Sequence, residues 1–500
     1  MTALANDART GFGTLEPNSA EALKREAERH RAAAAPLEPD SAAREKLGGR
    51  AMAHVLAYLD EVEEAPANRP WSEVFAERLT PEFSESGRDA ETIFDYVRAC
   101  VDRPGFATTS PRFMAYIPGG ALFPSALGDL LAAASNKYSG FASASPGAVR
   151  IENECVAWLA SVIGYPPNAS GTLTSGGSVA NLTAIVAARD ARDEAGGGAV
   201  YVTRFAHHCI DKALHIAGRR GAPKRVIATD ASHRMSIAAL EEALERDRAS
   251  GVRPWLVVAS AGTVDTGAID PLEAIADVCA RHGAWLHVDG AYGGLFALCD
   301  EGREKVCGIA LADSVALDPH KTLFLPYGTG AALVRDGRHL WDSFSASADY
   351  LQPLGESEVG PSPGDLSIEL TRHFRGLRLW LPLQLAGLAA FRAAQAEKLA
   401  LARYCHARLA ALDGIETGPP PDLSVVTFRY LPPRGDPDAF NERLLAHVQR
   451  EGRVMLSGTR IDGRFVLRCA ILSFRTHAEH IDEAIAAIGR GIAVVSWQQD

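Results

Sequence analysis

Ala284-Trp285-Leu286-His287-Val288-Asp289-Gly290-Ala291-Tyr292-Gly293-Gly294 is the stretch that decides the architecture. A mostly apolar run too short for a helix ends abruptly in a carboxylate and a glycine-rich turn, which reads as a strand buried on both faces. Similar runs stand at residues 199–203, 225–229, 255–259 and 313–317, with helical windows at 237–246 and 271–281 between some of them. Buried strands alternating with helices predict an α/β fold with a mainly parallel sheet. In such sheets, ligands sit outside the carboxyl ends of the strands.

Outward from this core, three regions are expected. Residues 106–385 carry the strand–helix alternation. Residues 386–500 open with a long helical window and continue with strand-like runs at 424–430 and 465–470, predicting a small α+β domain. Residues 1–105 read as an N-terminal helical segment, weakly structured to about residue 40 and helical from Ser41 and again at 89–101. It is too thin to fold alone and is expected to pack on a larger body, such as a partner chain.

The 500 residues are 47% apolar and 23% charged, with a net charge of −11 and no basic cluster, so nucleic acid is not an expected partner. No apolar run reaches the length of a membrane span. Residues 1–7 lack the basic start and apolar block of a secretory signal, and the eight cysteines are scattered without a Cys-x-x-Cys. A cytoplasmic protein with reduced thiols is expected.

Four features fall at strand ends. Thr174-Ser175-Gly176-Gly177-Ser178 precedes a helical window at 179–190; its glycines admit a ligand to the backbone, Ser178 can cap the helix, and the helix start can cradle a phosphate. Asp289 is a carboxylate that needs a cation or several donors. Asp318-Pro319-His320-Lys321 follows the run at 313–317, and a lysine in a pocket there can have its pKa lowered into nucleophilic range. His207-His208 follows the strand ending at Thr203; no spacing resembles a zinc signature, and no metal is expected. Taken singly, each has a plainer reading: a capped loop, a turn residue, a solvated lysine, a loop histidine. Taken together they meet one specification. A phosphate cradle, a carboxylate for a ring nitrogen, a lysine for an aldehyde and an imidazole for a ring face are what pyridoxal 5′-phosphate requires.

On these motifs, together with Val179-Ala180-Asn181-Leu182, the chain from about residue 40 onward resembles the group II pyridoxal-phosphate-dependent decarboxylases. The resemblance implies fold type I, aspartate-aminotransferase-like, and a homodimer whose active site lies at the subunit interface. It implies that Lys321 binds the cofactor aldehyde, Asp289 pairs with the pyridine nitrogen, Ala291 packs under the ring and His207 stacks over it. Gly177, Ser178 and His320 would contact the phosphate, and Thr263 would lie near the cofactor and the substrate carboxylate. Asp318 departs from members that carry Asn there; an ionised carboxylate would repel a dianion, so its side chain is expected to point elsewhere or the residue to contribute through its backbone.

Tyr350 matches the tyrosine of the family's mobile loop, which helps protonate Cα after CO2 leaves, and residues 355–364 are polar and rich in Gly and Pro. Tyr116, Ile117 and Pro118 resemble the pocket segment of aromatic members. Phe141 fits the same reading, reaching across a dimer interface. Thr371 matches a pocket-floor position where relatives carry Gly or Ser, and its methyl and hydroxyl would trim the room for a large ring. The expected reaction is decarboxylation of an aromatic or imidazole-type L-amino acid to an amine and CO2. The alternatives are an aldehyde-forming oxidative deaminase, a decarboxylase of an acidic or diamino acid, and an aminotransferase.

Overall fold

The computed structural model describes residues 20–69, 83, 85–193, 195–345 and 360–497. It divides into two compact units, Met1–Glu61 with Arg78–Asp102, and Val62–Glu77 with Arg103–Asp500.

The first unit holds helices Ala20–Ala33, Ser41–Glu61 and Ala90–Val97. Ala20–Ala33 corrects the expectation of weak structure there. It buries no residue, so no apolar period betrays it. Its support is local: Ala and charged helix formers, with Glu21 and Arg25 paired one turn apart at 3.9 Å. Asp89 caps the third helix, accepting from Thr92 N at 2.9 Å.

In the second unit, β1 (Asn68–Arg69) and β2 (Gly105–Phe106) form a short antiparallel pair. The main sheet contains β3 (Ser170–Thr174), β4 (Ala199–Thr203), β5 (Lys224–Ile227), β6 (Pro254–Ser260), β7 (Trp285–Asp289), β8 (Ser314–Leu317) and β9 (Gly330–Val334). Its order is β3-β9-β8-β7-β6-β4-β5. β9 runs antiparallel to both neighbours, so the other six strands share one direction. Every residue of β4, β6, β8 and β9 is buried, as expected of a sheet covered on both faces.

A second sheet, of β10 (Ile415–Thr417), β11 (Val425–Tyr430), β12 (Ser457–Ile461) and β13 (Arg464–Ala470), is antiparallel throughout. The helix Gly376–Ala410 leads into it and breaks at Gly387, whose φ of 73° only glycine adopts freely. Both sheets belong to one compact unit. Six co-directional strands have one practical result: the residues following β3, β4, β6, β7 and β8 all emerge at the same edge.

Candidate active site

A cleft of about 290 Å³ opens at that edge. Its lining includes Gly177, Ser178, His207, Thr263, Asp289, Ala291, His320 and Lys321, drawn together from stretches well separated in sequence.

After β3 the chain turns through Gly176 (φ 151°) into the helix Gly177–Arg192. The first intrahelical bonds run from Val179 N and Ala180 N to Gly176 O, both 3.0 Å, so the N–H groups of Gly177 and Ser178 lie outside the helix ladder. Gly176, not Ser178, occupies the N-cap, which corrects the capping role expected of Ser178. His320 borders the same turn and lines the cleft. Its Nδ1–H donates to Thr329 O at 2.7 Å, leaving Nε2 as the ring's remaining polar atom. Burial pushes the His320 pKa below its ordinary value, with Asp318 opposing.

Asp289 ends β7, and its Oδ1 accepts from Ala291 N at 3.2 Å. That bond folds the turn back and holds the buried Ala291 methyl beside the cleft. His207 Nδ1 accepts from Cys209 N at 3.2 Å, which fixes the ring and leaves the hydrogen of the neutral form on Nε2. Burial holds the His207 pKa down, with His208 and Lys321 adding to the fall and Asp289 opposing it.

Two expectations change at Lys321. Its Nζ lies 2.9 Å from Asp318 Oδ2, so Asp318 points into the cleft rather than away from it. Burial works to lower the amine's pKa, but the Asp318 carboxylate, its hydrogen bond and Asp289 outweigh it, and the pKa stands raised rather than lowered.

Beneath the cleft runs a buried chain that the sequence reading passed over. Asn181 Nδ2 donates to Gly177 O at 2.8 Å and to Cys209 Sγ at 3.5 Å, and Asn181 Oδ1 accepts from His287 Nε2 at 2.7 Å. His287 Nδ1 then accepts from Ser314 Oγ at 2.9 Å, which in turn accepts from Trp285 Nε1 at 2.8 Å. Burial pushes the His287 pKa down to about 4, so the ring is neutral. The Gly176–Gly177 turn, the His207 turn and the strand bearing Asp289 are thus tied by side chains. The available signal was a polar Asn four residues after Gly177, on the inner face of the helix.

Thr263 is buried in the lining, its Oγ1 2.8 Å from Thr266 Oγ1. Arg468 of β13 grips its loop, donating from Nε to Asp265 O at 2.9 Å, and reaches Ser457 Oγ at 2.8 Å, Tyr116 O at 3.3 Å and Val264 O. Tyr116, Ile117, Pro118, Phe141 and Thr371 do not line the cleft of this chain. Tyr116 is 54% exposed, Phe141 stacks on Tyr138 at 5.9 Å and Thr371 is exposed. Tyr350 lies outside the described residues.

These residues fit pyridoxal phosphate on one geometric test: a Cβ on Gly177 would meet Asp318 Oδ2 at 2.8 Å and Ala291 Cβ at 3.2 Å, so the turn is open only because it carries no side chain. Residues 74–431 match the model of the pyridoxal-dependent decarboxylase conserved domain.

The chain belongs to that family.

Among its relatives is an aromatic-L-amino-acid decarboxylase of Bacillus atrophaeus, 33% identical over 87% of this chain and 92% of its own. An L-2,4-diaminobutyrate decarboxylase of Rhizobium meliloti is 33% identical over 76% of this chain and 77% of its own. The crystal structure of Oryza sativa TDC with PLP and tryptamine superposes with a TM-score of 0.86 at 27% identity, covering 92% of this chain and 99% of that one. The protein is a pyridoxal-phosphate-dependent amino-acid decarboxylase of the expected α/β, fold type I architecture.

Proposed function

We propose that this decarboxylase acts on an aromatic L-amino acid, as a homodimer in the cytoplasm, with Lys321 as the cofactor-binding amine. The observation that carries the reading is the convergence of Gly177, His207, Asp289 and Lys321 on one cleft. The substrate class is supported by the Bacillus relative and the tryptamine-bound rice enzyme.

Pyridoxal phosphate, when bound, supplies an electron-withdrawing ring that accepts the electron pair left when CO2 departs. This chain's residues govern the rest. Asp289 would hold a proton at the ring nitrogen, and His207 and Ala291 would border the ring. The N–H groups of Gly177 and Ser178, with His320, would bind the phosphate at a helix start. Thr263 would border the substrate carboxylate, and Lys321 Nζ would be the amine that holds the cofactor. Tyr350 would help protonate Cα, so Tyr350→Phe is expected to lower amine yield and raise aldehyde plus peroxide; unchanged product ratios would remove it from the mechanism.

The dimer reading is supported by Leu130 and Leu131, 55% and 54% exposed on the helix Phe123–Ser135, and by Leu385, 65% exposed. Phe141 and Thr371 then serve the partner's cleft. All eight cysteines are free, in keeping with a reducing compartment. Purified protein should release CO2 fastest from Tyr, Dopa, Trp, 5-hydroxytryptophan or Phe; faster turnover of His, Glu or 2,4-diaminobutyrate would overturn the substrate class.

A further inference from the structure

Asp318 has no task in the reaction proposed above, yet its placement is costly. It is 2% exposed at the end of β8, with Oδ2 2.9 Å from Lys321 Nζ. Its Oδ1 is buried and finds no hydrogen-bond partner among the described residues. His320 Nδ1 stands 3.7 Å from that oxygen, but its hydrogen is committed to Thr329 O. A buried carboxylate with one oxygen unmatched is destabilising unless it neutralises. The same carboxylate lies against Gly177, the first residue of the phosphate turn, where a dianion is the intended guest.

We propose that Asp318 is the proton partner of Lys321: it holds the ε-amine as an ammonium in the cofactor-free cleft and takes one proton from it when the amine condenses with the cofactor aldehyde. The inference rests on the assignment of Lys321 above. The step balances. One proton passes from Nζ to Oδ2, and the freed lone pair on Nζ bonds the aldehyde carbon. The aldehyde oxygen leaves as water with the two hydrogens remaining on Nζ. Asp318 ends neutral, so the repulsion expected of a carboxylate beside a phosphate disappears as the phosphate arrives.

The surrounding groups favour the ammonium while the cleft is empty. Facing the amine are Asp318, Asp289 from β7, His207 from the turn after β4, Cys209 from the start of the helix Cys209–Ile216, and His320. Burial keeps the Cys209 thiol raised and both imidazoles lowered, so all three are neutral and the two carboxylates are the charges that act on Nζ.

The test uses the full chain stripped of cofactor with hydroxylamine. Acetylation of Lys321 is followed by peptide mass spectrometry as a function of pH. Asp318→Asn is expected to lower its midpoint by about one pH unit or more. Capture of added pyridoxal phosphate is then timed by the disappearance of free aldehyde, assayed chemically after rapid filtration. Between about pH 7 and 9 the wild-type rate should change less than about threefold, because the proton moves within the pair. Below its own midpoint, the Asp318→Asn rate should climb about tenfold per pH unit. Asp318→Glu should restore the flat profile, and Asp318→Ser replaces Asp318→Asn if the latter does not fold. An unchanged midpoint in the variant, or a wild-type rate that climbs tenfold per pH unit, overturns the proposal. Borohydride fixation separates the two readings: a label on a lysine other than Lys321 refutes the attachment site itself.

Discussion

A methyl group at position 177 would sit 2.8 Å from Asp318 Oδ2 and 3.2 Å from Ala291 Cβ, with the backbone of a helix start on its other side. Neither neighbour can retreat: one is a buried carboxylate held by Lys321, the other is fixed by the Asp289 turn. Gly177→Ala is therefore expected to weaken pyridoxal phosphate by at least about tenfold, roughly 1.4 kcal/mol, while leaving the fold intact. Equilibrium titration of the visible band against cofactor concentration measures it. Unaltered affinity would mean that the cofactor does not use this turn.

Between residues, the chain from Asn181 through His287 to Trp285 ties a helix to two strands, and its charge state makes it sensitive to acid. The His287 pKa of about 4 lies below the ordinary value of 6.5. Between those values the unfolded chain takes up a proton that the folded chain refuses, so this contribution is complete above pH 6.5 and is lost as pH falls toward 4. The loss reaches about 3 kcal/mol, and urea unfolding across that range should show a fall in stability smaller by about that amount in His287→Gln than in the wild type. The same elements show what the sequence made legible. β4, β6, β7 and β8 are apolar, bulky and buried, so their residues announce them, and each delivers a cleft residue at its end. β3 (Ser-Gly-Thr-Leu-Thr) and β9 (Gly-Ala-Ala-Leu-Val) carry small residues instead. A Cβ on Gly171 would strike Ala332 O at 2.5 Å, so close strand approach demands the composition that hides the strand. Asn181 and the Asp318–Lys321 pair were hidden for another reason: their meaning lies in partners brought near only by the fold.

At the scale of the whole molecule, the proposed second subunit would cover the exposed leucines of Phe123–Ser135. Leu131→Asp is expected to halve the mass seen by light scattering and to make activity depend on protein concentration. A wild-type chain that is monomeric and fully active would refute the arrangement. Arg468 carries a different lesson. Its guanidinium spans from β13 to the carbonyls of Tyr116, Val264 and Asp265, so the segment after the Gly387 break shapes the loop holding Thr263. Recombining this chain with a relative at that break would make a chimera in which a foreign tail sets the pitch of the native loop. Substrate preference in such hybrids should travel with the tail as much as with the residues that line the cleft.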